Sequence, residues 1–256
     1  MELRCIHCGF PIKTLFLQYS PGNIRLMKCE NCKAVADEYI ECESMIVLID
    51  LILHKPKAYR HLLFNLLNPQ TLNFQGLLWK SALGFLLLDA YRILVLTRSE
   101  EEWGLSMSFS SLFWRFSKIL MDVLFGNLAF LSIFLLATRN LLNTVGGASR
   151  YKNLLLAILI SSYFKIFLIA MMVWELPSSV IFIIDVFVLS SNTVALKVVT
   201  GSGMSRCAET CFVAHAVKLF VSQLTVFHSS RFLQDSKILT CEMPIYSMGN
   251  MKYGMG

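Results

Sequence analysis

The chain has 256 residues, of which 55% are hydrophobic and only 16% charged. An average soluble domain carries about 25% charged residues, so the composition excludes an ordinary soluble enzyme and points to an α-helical polytopic membrane protein. The net charge of +6 comes without a basic run interleaved with stacking aromatics, which excludes a single-strand nucleic-acid binder and leaves no nucleic-acid partner; its expected use is orientation in a bilayer and contact with anionic lipid.

The first element in chain order is CIHCGFPIKTLFLQYSPGNIRLMKCENC, in which Cys5 and Cys8 form one C-x-x-C pair and Cys29 and Cys32 a second. A metal clip, two disulfides and a redox site are the three chemistries open to it. The spacing belongs to the four-cysteine zinc pattern, at the long end of the usual central gap. Two tight turns each aim two thiolates at one point and complete a tetrahedron about 2.3 Å from the ion. Residues 13–19 and 24–29 read as strands around the turn Ser20-Pro21-Gly22-Asn23, where proline presets φ and glycine accepts positive φ. The expectation for residues 1–43 is a small zinc-ribbon-like β domain with structural Zn2+ held by Cys5, Cys8, Cys29 and Cys32. So few residues cannot build an adequate core, so the ion must stabilise it. Four thiolates close the coordination shell, whereas catalytic zinc keeps an open position. A thioredoxin-like site is disfavoured because no βαβ unit surrounds either pair. His7 and Cys42 are read as an exposed side chain and a packed thiol.

The motif CxxCG followed by QYSPGNIRLMKCENCKAVADEYIE, and then IDLILHKPKAYRHL, is similar to the homology domain of the Arv family of endoplasmic-reticulum membrane proteins. The resemblance covers about residues 1–65, is plant-like in detail, and beyond about residue 70 continues mainly in hydropathy. It implies a role in intracellular sterol and sphingolipid distribution and in supplying early intermediates of glycosylphosphatidylinositol (GPI) anchors. It implies no catalytic residue. The partners it implies are membrane lipids, sterols and anionic lipids among them. A membrane-anchored adaptor for lipid-synthesis enzymes is the second reading.

Residues 44–73 follow as amphipathic helices. Ser44 is an expected N-cap for 45–53, a run too short to span about 30 Å of hydrocarbon. Asp50 interrupts that run, and Pro56 then breaks or kinks the helix. In 57–68, Tyr59, Leu62, Leu63, Leu66 and Leu67 share one face and Lys57, Arg60, His61, Asn65 and Asn68 the other. That pattern predicts an interfacial helix with Lys57, Arg60 and His61 meeting lipid headgroups; an ordinary helix docked on protein is the alternative.

The membrane domain, 74–228, shows four spans at 74–96, 119–137, 154–174 and 178–196, each close to the required 20 residues. The linker 97–118 carries an S-x-x-E capping box at Ser99–Glu102 and the aromatics Trp103, Phe109, Phe113, Trp114 and Phe116, an interfacial composition. With four spans, the lysines and arginines near them favour a cytosolic N-terminus and a cytosolic C-terminus, and in the cytosol glutathione keeps thiols reduced. Lys165 and Asp185 fall mid-span at similar depth on either side of the 175–178 turn, so they are expected to pair, because an unpaired charge there costs about 3 kcal/mol. Asp89 and Arg92, three residues apart, are expected to neutralise each other. Residues 207–227 read as an amphipathic or re-entrant helix, with a fifth span as the alternative. Cys207, Cys211 and His215 recur every four residues, a metal or packing pattern. Residues 229–256 are expected to be a flexible tail. The motifs G-x-S-x-G, H-E-x-x-H, G-x-G-x-x-G and the P-loop are all missing from the sequence, so the expected protein is not an enzyme. The expected location is the endoplasmic-reticulum membrane, multi-pass.

Overall fold

The computed structural model describes residues 2–67, 74–98, 109–141, 148–174, 177 and 179–241. A small cysteine-bearing head comes first. Strand β1 (Phe16–Ser20) pairs antiparallel with β2 (Asn23–Leu26), Phe16 opposite Leu26 and Gln18 opposite Ile24. Gly22 supplies φ of +83° in the turn, a conformation that costs glycine nothing. Both strands are shorter than expected because the chain on either side bends into a knuckle, each closed by one isolated pairing, Arg4 with Pro11 and Lys28 with Val35.

A single 3-10 turn (Glu38–Ile40) leads to helix α1 (Ser44–Ile52). Ser44 begins this helix instead of capping it; Glu43 occupies the cap position with no side-chain bond. Helix α2 (Pro56–Arg60) starts on its proline, whose missing N–H is not needed there. It passes into a wider π turn, His61–Leu66, closed by Leu67 N–H donating to the Leu62 carbonyl at 3.1 Å.

The remaining helices are α3 (Phe74–Arg98), α4 (Phe109–Leu141), α5 (Ala148–Ser161), α6 (Phe167–Trp174), α7 (Ser179–Thr200) and α8 (Met204–Cys241), with a 3-10 segment, Ser162–Ile166, joining α5 to α6. Among the described residues, three stretches are long and apolar enough to cross a membrane: Phe116–Leu141, Tyr151–Ala170 and Ser179–Thr200. They coincide with the expected spans 119–137, 154–174 and 178–196. Helix α3 covers the expected first span in length but carries Lys80, Asp89 and Arg92. Exposed Phe109, Phe113, Trp114 and Phe116 lie on the first turns of α4, so the aromatic end of the linker extends that helix. The capping box at 99–102 lies outside the described residues.

Helix α8 departs from expectation. Gly201, at φ +69°, ends α7 and its N–H bonds the Lys197 carbonyl at 2.8 Å. The chain then doubles back. Cys207 meets Thr200, His215 meets Asn192, and Ser222 meets Gly126 of α4. Residues 207–227 therefore run antiparallel along α7 into the bundle, not across its end as an interfacial or re-entrant helix does. The helix continues to Cys241, so 229–241, expected to be a flexible tail, is helical; 242–256 lie outside the described residues.

One apolar cluster ties the head to the bundle: Ile6 and Tyr39 from the head, Tyr59, Leu63 and Phe64 from the α2 region, Ala157 from α5, and Val194, Ala195 and Val198 from α7. The head thus sits at the end of the bundle where α7 finishes and α5 begins.

Candidate metal centre and intramembrane charge cluster

The two C-x-x-C pairs fold into matching knuckles. Cys5 N–H bonds the Phe10 carbonyl and Cys29 N–H the Ala34 carbonyl, at 2.9 and 2.8 Å. The return bonds run from Gly9 N–H to the Cys5 carbonyl and from Lys33 N–H to the Cys29 carbonyl. Gly9 and Lys33 occupy the same knuckle position and both adopt positive φ, +77° and +61°. All four sulfurs lie within 4.8 Å of one another. The Cys5–Cys32 and Cys8–Cys29 separations are 3.7 and 3.6 Å, close to the ~3.8 Å edge of a tetrahedron with 2.3 Å metal–sulfur bonds. The cysteines are free thiols. Burial pushes Cys5 up to about 12. Burial also works against a Cys8 thiolate, but the backbone at Phe10 and the Asn31 side chain outweigh it and hold Cys8 at about 6. Four thiolates so close need a cation among them, and the donor set fits a metal ion.

The residues assigned to lipid contact have another task. Arg60 donates from one guanidinium nitrogen to the carbonyls of Ile6 and His7, at 2.7 and 2.9 Å, and so clamps the first knuckle. His61 is buried and its Nδ1 lies 2.7 Å from Asp37 Oδ2. Asn65 donates to the same oxygen at 2.6 Å and to the Arg4 carbonyl at 2.9 Å. Lys57 pairs loosely with Glu38 at 3.5 Å. The polar face of 57–67 therefore meets the cysteine head, and its apolar face, with Tyr59 and Leu63, meets α7; Asn68 lies outside the described residues. This corrects the interfacial reading for Arg60 and His61: a helix with protein on both faces has the same amphipathic pattern as one lying on a membrane.

Inside the bundle the expected Lys165–Asp185 pair is replaced by two others. Lys165 donates to Asp89 at 2.6 Å, and Arg92 donates to Asp185 at 2.5 Å. Asp89 and Arg92, expected to neutralise each other, instead reach separate partners. Lys218 of α8 also bonds Asp89 and donates to Asn127 Oδ1 of α4 at 2.8 Å. Lys165 and Asp89 are both buried, and the Lys165 ammonium sits 3.4 Å from the centre of the Phe85 ring. The physical reason for the exchange is the 3-10 segment that carries Lys165. Lys165 is the fourth residue of that segment, and four residues at about 120° each, not 100°, turn its side chain by roughly 80° away from the direction a continuous α-helix gives.

A second polar seam was not expected. Ser161 and Ser162 donate to Asn192 Oδ1 at 2.5 and 3.2 Å, Asn192 Nδ2 meets His215 Nε2 at 3.2 Å, and Tyr59 shares a 2.8 Å bond with Ser191. Asn127 and Asn192, polar residues within apolar runs, were the legible signal for both networks. Cys207, Cys211 and His215 pack along α7; among the described residues the only cluster with metal-ligand geometry is the four-cysteine one.

A family profile described as the Arv1-like family matches residues 4–196. "Protein ARV 1" of Arabidopsis thaliana is 56% identical over 91% of this chain and 91% of its own length. "Protein ARV 2" of the same plant is 54% identical over 86% of this chain and 94% of its own. "Protein ARV1" of Homo sapiens is 33% identical over 77% and 72%. No solved structure matches.

Proposed function

The chain belongs to the Arv1-like family, and from that premise we propose that it mediates sterol and sphingolipid distribution from the endoplasmic reticulum without catalysing a reaction, including supply of GPI-anchor precursors. The observation that carries the mechanism is the charge cluster. Asp89, Arg92 and Lys218 line a narrow cleft between α3, α4 and α8, together with Asp122, Gly126 and Ser222. Ionisable side chains at this depth are costly and mark functional positions by default. Here they offer a polar lipid headgroup the hydrogen-bond partners that hydrocarbon lacks. Asn127 Nδ2, buried and without a partner among the described residues, adds a spare donor beside Lys218. The four-cysteine head takes structural zinc, and the lysines and arginines on its side of the bundle support a position in the reducing cytosol.

The test is transfer of labelled sterol, ceramide and a GPI-anchor precursor from vesicles containing the purified full-length protein to acceptor vesicles. The protein accelerates at least one of them, and Lys218→Gln lowers that rate several-fold. No acceleration of any of the three overturns the reading. A second reading, an adaptor for lipid-synthesis enzymes, is favoured by Phe16, Leu17 and Tyr19, which stand exposed on the hairpin. It requires Tyr19→Asp to release a co-purifying enzyme while transfer stays unchanged.

A further inference from the structure

We infer that α1 and the turn after it form a wedge in the leaflet on the head's side, with lipid acyl chains covering the outer face of α1. The inference does not depend on which lipid the protein handles. Helix α1 has two apolar faces. Val47 and Leu51 pack inward on the cluster that joins head and bundle. Met45, Leu48, Ile49 and Leu53 follow each other at helical spacing on the other face and are 61%, 42%, 51% and 61% exposed. Nine helical residues span only ~14 Å, so the segment can enter a bilayer but not cross it.

Its outer face continues an apolar surface already at bilayer depth. Ile52 packs on the cluster that contains Ile181, Ile184 and Val188 of α7. His54 bonds Ser190 at 2.9 Å and stacks on Phe164 and Phe187. Phe182, Ile183, Val186 and Phe187 on this stretch of α7 are themselves exposed, as a spanning helix presents them to lipid. Lys197, in the last turn of α7, marks the interface. Phe187 lies ten residues further in, ~15 Å at 1.5 Å per residue, or about half of a 30 Å hydrocarbon core.

The N–H groups of the turn meet the condition that lipid imposes on backbone within it, that polar groups be satisfied internally. Leu53, His54 and Lys55 N–H groups bond the carbonyls of Ile49, Leu51 and Asp50, at 2.9, 3.0 and 3.0 Å. Pro56 has no N–H. The Lys55 ammonium is paired with Asp50 at 2.7 Å, and the Asp50 carboxylate also accepts from Tyr39 Oη at 2.7 Å. Membrane contact thus moves from the cationic 57–67 segment, which faces protein, to the apolar outer face of α1.

The experiment places one fluorescent amino acid, acridonylalanine, at Ile49, at Met45, at Phe182 or at Glu30 of the full-length protein in phosphatidylcholine vesicles. Quenching by mid-chain brominated lipid is compared with quenching by iodide in water. Bromolipid quenching at positions 49 and 45 is expected within two-fold of that at 182 and at least five-fold above that at 30, with iodide giving the reverse order. Positions 49 and 45 responding like position 30 overturns the inference. So does shielding from both quenchers with self-association, which assigns the face to a second copy of the chain. Met45 lies a full turn from Ile49, so a local disturbance at one site leaves the other reading intact.

Discussion

Asp37 is the residue on which the join between head and helices depends. Its side chain is fully buried and accepts from His61, Asn65 and the Tyr39 backbone N–H. Removing one partner of a buried pair of this kind costs about 3–5 kcal/mol. His61→Ala is therefore expected to lower thermal stability in detergent clearly, whereas Lys57→Gln, which breaks an exposed pair, costs less than about 1 kcal/mol. Equal, small effects would return His61 to the lipid interface. At the metal centre, Cys32→Ser is expected to abolish stoichiometric zinc in metal analysis of the purified protein. Acidification releases the ion as protons compete for the thiolates, and that release is read by a chromogenic chelator. The cysteine ligand set was legible because its spacing alone carries the chemistry. The role of His61 was not, because a histidine on a polar helix face reads the same whether its partner is a lipid phosphate or Asp37.

At the scale of elements, the chain order of helices followed from hydropathy, but their rotation about their own axes did not. Two carboxylates, Asp89 and Asp185, were available to Lys165, and depth alone did not separate them. The 3-10 segment settled the choice by turning Lys165 toward α3. Double-mutant cycles test this directly. Lys165→Met with Asp89→Asn is expected to show a coupling above 1 kcal/mol, and Lys165→Met with Asp185→Asn to be additive within about 0.5 kcal/mol. Asp89→Asn alone destabilises more than Lys165→Met alone, since it strands two ammonium groups and the second change strands neither Asp89 nor Lys218.

For the whole molecule, the antiparallel course of α8 along α7 and α4 has a topological consequence. Its 38 residues extend ~57 Å at 1.5 Å per residue, more than a bilayer requires, and its polar residues Lys218 and His215 face partners inside the bundle. The C-terminus is then expected on the opposite side of the membrane from the cysteine head, not on the same side as a four-span count puts it. In sealed microsomes a protease added outside cleaves an N-terminal tag and spares a C-terminal one; cleavage of both returns α8 to an interfacial position.

By itself the sequence determined the membrane class, the four-thiol knuckle pair, the family and the approximate position of three apolar spans, because composition, ligand spacing and hydrophobic length are properties of the chain read locally. Tertiary structure decided which charges meet, that Arg60 and His61 clamp the head, that α8 enters the bundle and that one face of α1 is left exposed. Each of these depends on the azimuth and docking of helices far apart in sequence. A helix face that buries against protein and one that lies in lipid follow the same 3.6-residue pattern, so only the neighbours distinguish them.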